Sequence, residues 1–369
     1  MCLGIYVHIP FCASKCNYCD FNSYAGILDK QQEYCEALSQ EIRKFHMRRT
    51  VDTVYFGGGT PTLLQPERLV NVFCVLKEHF PFTQSCEVTA ECNPGTIDFD
   101  GLKKLRDAGF NRLSIGMQSA SDEILKQLGR IHNFEDCRSC VENARRAGFQ
   151  NLSVDLIFGL PEQTKEDWMH TLKQATALSP QHISCYALKI EPGTPFADMS
   201  LKLPDDDLCR MFYDYAVEYL DSMGYIQYEI SNFAFPGYES RHNCKYWQCD
   251  DFAGFGAGAY SCINTNRYNN VLDVSQYCKK IFSEGSAVRE TVLLTPEDRM
   301  SEFCFLGLRM NQGIDIGTFQ KRFHMPLEQI YGEVLQKNYL RGTLRREKNR
   351  IYIPKQWLFV CNSILVDFV

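Results

Sequence analysis

The chain has no long apolar run. Nowhere does it approach the roughly 20 consecutive apolar residues that a membrane-crossing helix needs, so no such helix is expected. Its opening, MCLGIYVHIPFC, lacks a basic segment followed by a long apolar stretch, which argues against an export signal. Excess positive charge is also missing: 39 Lys and Arg stand against 45 Asp and Glu, a net charge of −6, which gives no overall electrostatic footprint for nucleic acid. Internal repeats and low-complexity tracts are absent. These absences lead to the expectation of a cytoplasmic globular protein, and the 45% hydrophobic and 23% charged content is ordinary for one. A length of 369 residues allows one large domain and a smaller one.

Cysteine, by contrast, is plentiful. Eighteen in 369 residues is too sparse for a disulfide scaffold, and many lie inside apolar runs, such as Cys74 in VNVFCVL and Cys304 in EFCFLGL. There they read as small buried hydrophobes in a reducing compartment. Cys137 and Cys140 form a C-x2-C within NFEDCRSCVENARRAG, but the helical pattern around them favours a structural role.

From residue 5 to about 222, short β-branched or aromatic runs alternate with amphipathic stretches. The strand candidates are IYVHI (5–9), TVYFGG (53–58), CEVTAEC (86–92), RLSIGMQ (112–118), LSVDLIFG (152–159) and HISCYAL (182–188). Between them, QQEYCEALSQEIRKF, PERLVNVFCVLKEHF and EDWMHTLKQATAL carry apolar residues at helical spacing. Repeated strand–helix units predict an α/β fold with a parallel sheet and right-handed crossovers, and six units suit a partial (β/α)6 barrel. Ligands then gather at the C-terminal ends of the strands, where GGGTP, ECNPG, Gln118 and Asp155 fall. LPDDDLCRMFYDYAVEYLDSMGY (203–225) predicts a longer helix opened by acidic residues. The domain expectation is therefore a barrel over 1–225, a glycine- and aromatic-rich extension over 226–290, and a C-terminal module over 291–369. In the last, TPEDRMSEFCFLGLRM and PLEQIYGEVLQKNYL read as helices and TLRREKNRIYIP as a hairpin turning at EKN, a helical, winged-helix-like arrangement.

The chemistry is concentrated in IYVHIPFCASKCNYCDFN, where Cys12, Cys16 and Cys19 form a C-x3-C-x2-C array. A structural zinc site would usually offer a second C-x2-C pair, and none lies nearby. Three thiolates on a cubane [4Fe–4S] cluster leave one iron open, which suits a site where a small molecule must coordinate the metal.

The array together with GGGTP (57–61) resembles the radical S-adenosylmethionine superfamily. ECNPGT, NRLSIGMQS, LGRIH, DLIFGLPEQT and IEPGTPF extend that resemblance to the anaerobic coproporphyrinogen oxidase-like branch. YEISNFAFPGYESRHNCKYW with GFGAGAYS is similar to the heme chaperones within it. The resemblance runs from residue 5 to the C-terminus. It implies that S-adenosylmethionine supplies the fourth ligand through its amino and carboxylate groups, and that an electron from the cluster releases methionine and a 5′-deoxyadenosyl radical. It further implies cofactor contacts from Gly58, Gly59 and Thr60 to the methionine moiety, Glu91 to the ribose hydroxyls, and Gln118 to a neighbouring polar group. Arg130 would meet the carboxylate, Asp155 the ribose or sulfonium side, and Tyr6, Tyr18 and Ala187 the adenine.

Two functions compete within the branch. The oxygen-independent coproporphyrinogen III oxidase carries a fourth cysteine in a C-x-C after the triplet and an N-terminal arm before it. Here Phe21 stands in that cysteine's place, and only eleven residues precede Cys12. The chaperone reading rests on HNCKYW (242–247), an H-N-x-x-Y-W pattern, with His242 as the expected heme ligand flanked by Tyr246 and Trp247. It implies heme as cargo, acceptor hemoproteins such as membrane-bound respiratory enzymes, peripheral membrane association, and compatibility with a homodimer. Nucleic acid is not expected as a partner, because the basic run LRGTLRREKNR reads equally well as a solvated hairpin.

Overall fold

Period-two alternation explains the centre of the molecule. The structure, a computed structural model, describes residues 2–369. Strands β1 (Leu3–Ile9), β2 (Val51–Gly58), β3 (Phe82–Cys92), β4 (Arg112–Gln118), β5 (Asn151–Phe158) and β6 (His182–Ala187) lie side by side in chain order, all parallel. In β1, Leu3, Ile5, Val7 and Ile9 are wholly buried in the main hydrophobic core, while the alternate residues Gly4, Tyr6 and His8 belong to the other face. Polar residues recur on that inner face at Thr53, Tyr55, Glu91, Arg112, Ser114, Asp155, His182 and Ser184. An (β/α) barrel is ordinarily filled by branched apolar side chains, so this interior is built to hold something polar.

Crossover helices cover the outside: α1 (Gln31–Lys44), α2 (Pro66–His79), α3 (Phe99–Ala108), α4 (Asp122–Gln127), α5 (Phe134–Arg146) and α6 (Lys165–Ala177), followed by α7 (Asp206–Ser222). Their starts follow from local chemistry. Asn133 and Thr164 form reciprocal capping boxes with Asp136 and Asp167, and Asp98 and Asp205 cap α3 and α7. Each such cap is worth about 1 kcal/mol. Cys137 and Cys140 lie on the buried face of α5, and all 18 cysteines are free.

The segment after α7 extends the sheet at both edges. On one side, β8 (Asn232–Ala234) pairs antiparallel with β6, and β7 (Ile226–Gln227) pairs antiparallel with β8 at the edge. The chain then forms α8 (Arg241–Trp247) and returns as β9 (Phe252–Phe255), parallel to β1. Strands β10 (Tyr260–Ile263) and β11 (Asn266–Asn270), helix α9 (Val274–Glu284) and strand β12 (Val288–Leu293) follow. The result is a 12-stranded open sheet in the order β12-β11-β10-β9-β1-β2-β3-β4-β5-β6-β8-β7.

The C-terminal part comprises α10 (Pro296–Gly307), β13 (Ile314–Asp315), α11 (Ile316–Phe323), α12 (Leu327–Arg341), β14 (Arg345–Glu347) and β15 (Arg350–Tyr352). Its small sheet, ordered β13-β15-β14, places the expected hairpin beside a strand that the sequence reading did not include. Helix α11 is likewise additional, started by Asp315, whose carboxylate accepts from the Thr318 N–H at 2.7 Å. The basic hairpin is partly neutralised, because Arg346 pairs with Glu328 at 3.0 Å. Among the described residues no helix is long and apolar enough to cross a membrane.

Candidate cofactor site

The cysteine loop leaves β1 and is tied down before it can wander. The Cys12 N–H donates to Tyr24 O at 3.0 Å, and the Tyr24 N–H returns to Pro10 O at 2.8 Å. Lys15 Nζ binds Ser23 O and Oγ at 3.1 and 2.9 Å, and the Asn17 N–H bonds to Leu128 O at 3.0 Å. Against this loop packs the glycine turn after β2. The Gly59 and Thr60 N–H groups donate to Ile9 O and Phe11 O, both at 2.8 Å. Any side chain at Gly59 would begin 2.7 Å from Phe11 O, and one at Gly58 (φ +113°) would strike the His8 ring at 2.5 Å. Glycine is required there by space and by backbone conformation.

Loop and turn form the mouth of a cavity of about 410 Å3 that runs down the barrel interior. Cys12, Cys16, Cys19, Tyr18, Gly58, Gly59, Thr60, Glu91, Gln118, Arg130, Asp155 and Ala187 all line it. Segments separated by more than 170 residues thus converge on one space, as their positions at strand ends predict. Tyr6 is the exception: it is not among the lining residues, and its hydroxyl donates to His8 Nδ1 at 3.0 Å while its ring stacks on Tyr55. The bulk of Tyr55 on the neighbouring strand stands beside it, and Tyr55 is in the wall.

Arg130 organises the upper end. Its Nη2 donates to Asn93 Oδ1 at 2.7 Å and Gly116 O at 2.8 Å, and Nη1 lies 3.7 Å from Cys16 Sγ. This contact ties Arg130 to the cysteine loop. Asn93 Nδ2 in turn donates to Thr60 Oγ1 at 2.8 Å, joining the glycine turn to the arginine. Gln118 holds the left-handed conformation (φ +64°) at a register shift in β4, an uncommon state for a residue with a side chain.

The carboxylates differ. Glu91 accepts from the Tyr55 hydroxyl at 2.9 Å and the Gly58 N–H at 3.1 Å, and burial pushes it up to about 7. Asp155 is more fully engaged: Ser114, Ser153 and Ser184 hydroxyls donate to it at 2.7–3.3 Å, and burial still raises it. Deeper in the same cavity sits Arg112, 1% exposed, whose Nε has no hydrogen-bond partner. A buried, incompletely satisfied cation marks a space meant for water or ligand. Sequence reasoning passed over Tyr55, Asn93, Arg112, Ser114 and Ser184. Tyr55, Asn93, Arg112 and Ser114 lay inside the quoted stretches TVYFGG, ECNPG and NRLSIGMQS, and Ser184 inside the strand run HISCYAL, but none stood out there as a site residue.

These residues fit the expected groups. Three thiols reach one cavity from a pinned loop, with a cation against one of them. No group of three His, Cys, Asp or Glu side chains among the described residues closes around a single metal ion, but a cubane cluster holds its thiolates several ångströms apart and makes no such demand.

The HNCKYW segment meets this cavity only through Asn243. It forms α8, which plugs the opposite, N-terminal end of the barrel. Glu87 of β3 accepts from the Arg241 and His242 N–H groups at the helix start, and Lys245 pairs with Asp52 at 2.9 Å. His242 is 1% exposed and stacks on Tyr55 at 5.3 Å. Its Nδ1 bonds Thr53 Oγ1 at 2.9 Å and its Nε2 bonds the Tyr246 hydroxyl at 2.8 Å. In this arrangement neither nitrogen is open to an iron. Trp247 lies under the Arg309 guanidinium, 5.0 Å from the ring centre.

Comparison with known proteins agrees with this geometry. Residues 6–175 match the family model of the radical SAM superfamily, and residues 294–356 match the HemN C-terminal domain. The heme chaperone HemW of Bacillus subtilis is 35% identical over 99% of this chain and 98% of its own length; that of Escherichia coli is 40% identical over 71% and 70%. The chain belongs to the radical SAM superfamily, in the HemN-like branch that includes the HemW proteins. Among solved structures, E. coli coproporphyrinogen III oxidase (HemN), described as a radical SAM enzyme, superposes with a TM-score of 0.89 at 26% identity, covering 100% of this chain and 90% of that one. Membership in the superfamily implies a [4Fe–4S] cluster and S-adenosylmethionine.

Proposed function

We propose that the protein is a heme chaperone, which binds heme and passes it to acceptor hemoproteins. The observation that carries this reading is the near end-to-end similarity to HemW proteins. In this reading residues 1–225 hold the cofactor, 226–290 bear the H-N-x-x-Y-W motif and 291–369 form a module against it. Cys12, Cys16 and Cys19 would hold the cluster. Gly58, Gly59, Thr60, Glu91, Gln118 and Arg130 would hold S-adenosylmethionine, with Asp155 contributing through whatever its three serines leave free. When bound, the pair supplies one-electron chemistry at the sulfonium. The chain's own residues fix the loop, exclude water from the barrel interior and set the charge on Glu91.

Iron ligation by His242 requires the hydrogen bond at one of its ring nitrogens to open. The working protein on this reading therefore alternates between the closed plug described above and a form in which that nitrogen is released. Acceptors are respiratory hemoproteins at a membrane surface, reached without a spanning helix. The test is an anaerobic heme titration of the cluster-reconstituted protein. Saturable binding with a shifted Soret band supports the chaperone, and its absence removes it.

The second reading, coproporphyrinogen oxidation, draws on the superposition with HemN. Against it, Phe21 replaces the fourth cysteine and projects 62% exposed at the cavity rim. Decarboxylation of coproporphyrinogen in the presence of S-adenosylmethionine and a reductant would establish it.

A further inference from the structure

A second cavity, of about 390 Å3, lies between the strands β9–β11 and the helices α10 and α11, and Tyr246 forms part of its wall. We infer that this cavity is the seat of an iron tetrapyrrole and that Tyr246 is the gate between that seat and His242. The inference rests on the chaperone reading and deepens it by placing the cargo.

The chemistry of the wall selects the ligand. Phe252 meets Tyr246 edge-on at 4.7 Å, and Tyr260 and Phe323 complete an aromatic lining suited to a flat macrocycle. Its volume is within the range of ordinary small-molecule sites. Three arginines reach the lining, and they are not equivalent. Arg267 is held by both oxygens of Glu302 at 2.7 and 2.9 Å, and Arg322 faces Asp250 at 3.5 Å. Arg299 has no carboxylate partner within salt-bridge reach among the described residues; its guanidinium rests 6.0 Å from the centre of the Phe323 ring. It is the cation placed to receive a carboxylate side group of the ligand.

The gate follows from what Tyr246 touches. One end of the side chain, its hydroxyl, occupies His242 Nε2 at 2.8 Å, and its ring lines the cavity. A single phenol therefore separates an imidazole from an aromatic slot. Rotation of that ring frees Nε2 as an iron ligand and opens the route to it at the same time. His242 keeps its bond from Nδ1 to Thr53, which fixes the ring's orientation.

The test is a hemin titration of the full-length, cluster-reconstituted chain and four variants, with S-adenosylmethionine binding measured on each as a check that the barrel is intact. Leu306→Trp fills the slot from its half-buried wall and should weaken hemin by at least about tenfold, the scale of an overpacked site. Arg299→Gln should weaken it severalfold. Tyr246→Ala should accelerate hemin association and keep the wild-type Soret band. Cys262→Ser, altering a thiol in the same lining that Arg267 touches at 3.9 Å, should leave that band unchanged. Unaltered affinity in both Leu306→Trp and Arg299→Gln would overturn the seat. A changed Soret band in Tyr246→Ala or Cys262→Ser would overturn the gate by making that side chain the ligand. Absence of saturable hemin binding by the wild-type chain is a separate failure, that of the chaperone reading itself.

Discussion

The two ends of the barrel carry the two motifs that stand out in the sequence, and they are built on opposite principles. The cavity that opens at the C-terminal ends of the strands is lined by Cys12, Cys16, Cys19, Glu91, Asp155 and Arg130, and deeper in it Arg112, from the start of β4, has an Nε without a partner. At the N-terminal end, the His242 imidazole is stacked, bonded at both nitrogens and sealed from solvent. One end is prepared for a ligand. The other is complete without one. A histidine in a heme-like motif is therefore not an open coordination site merely because it is histidine: its hydrogen bonds decide whether iron can reach it.

The largest effect should come from the prepared end. Cys16→Ala removes one thiolate from a three-thiolate set and the partner of Arg130, so reconstitution should yield no stable cluster. The cluster's visible absorption and its iron content would show this, and a normal cluster in the variant would break the contrast outright. At the sealed end the expected loss is in folding. His242→Ala leaves the Thr53 and Tyr246 hydroxyls without their partner and empties a ring-sized space beside Tyr55. It should cost about 2–4 kcal/mol, read from the denaturant midpoint. Acid should act in the same direction. Burial, with Lys245 and Arg112 nearby, lowers His242 from 6.5 to about 3. The unfolded chain then binds a proton that the folded one refuses, so this stability is present above pH 6.5 and is lost as pH falls towards 3. His242→Gln should flatten that part of the pH–stability curve.

The contrast also shows why one end was legible in the sequence and the other was not. Spacing fixes a metal loop: Cys12, Cys16 and Cys19 need only their separation to be recognised. The six central strands were readable because each is a run of six to eleven residues with apolar residues on a covered face. Strands β7 to β11 were not, since each has two to five residues and β11 reads NRYNN, poor in β-formers. They exist because open sheet edges beside β1 and β6 accept them, a tertiary reason. Arg112, at the start of β4, has no spacing signal to mark it, and only the curvature of the sheet brings it into the cavity. Nothing in HNCKYW announces that a short helix under the barrel will consume both nitrogens of its histidine.

Smaller effects probe whether the ends are independent. Glu91, raised to about 7 by burial, accepts ribose hydroxyls best when ionised. Tyr55, Gly58 and Arg112 favour its charge, and Asp155 opposes it. S-adenosylmethionine affinity should thus rise about tenfold from pH 6 to pH 8, the gain expected for one ionisation centred between them. Titration calorimetry at the two pH values measures it, and Glu91→Gln should abolish the dependence. A flat profile in the wild-type protein would mean that the cofactor does not use this carboxylate.

The smallest predicted effect concerns a residue that touches both ends. Tyr55 lends its ring to His242 and its hydroxyl to Glu91. Tyr55→Phe keeps the ring and deletes the hydroxyl. Glu91 then loses a hydrogen bond that stabilises its charged form by about 1 kcal/mol, so its pKa rises by about 0.7 and cofactor affinity at pH 7.5 should fall about twofold. The stack on His242 is untouched, so the acid limb of the stability curve between pH 6.5 and 3 should keep its shape. If that limb changes along with cofactor affinity, the hydroxyl transmits between the plug and the cavity, and release of His242 would be felt at Glu91 as a change in cofactor binding. By reciprocity the cofactor would then bias the plug by the same factor. If only the affinity changes, the two ends share a ring without sharing a signal.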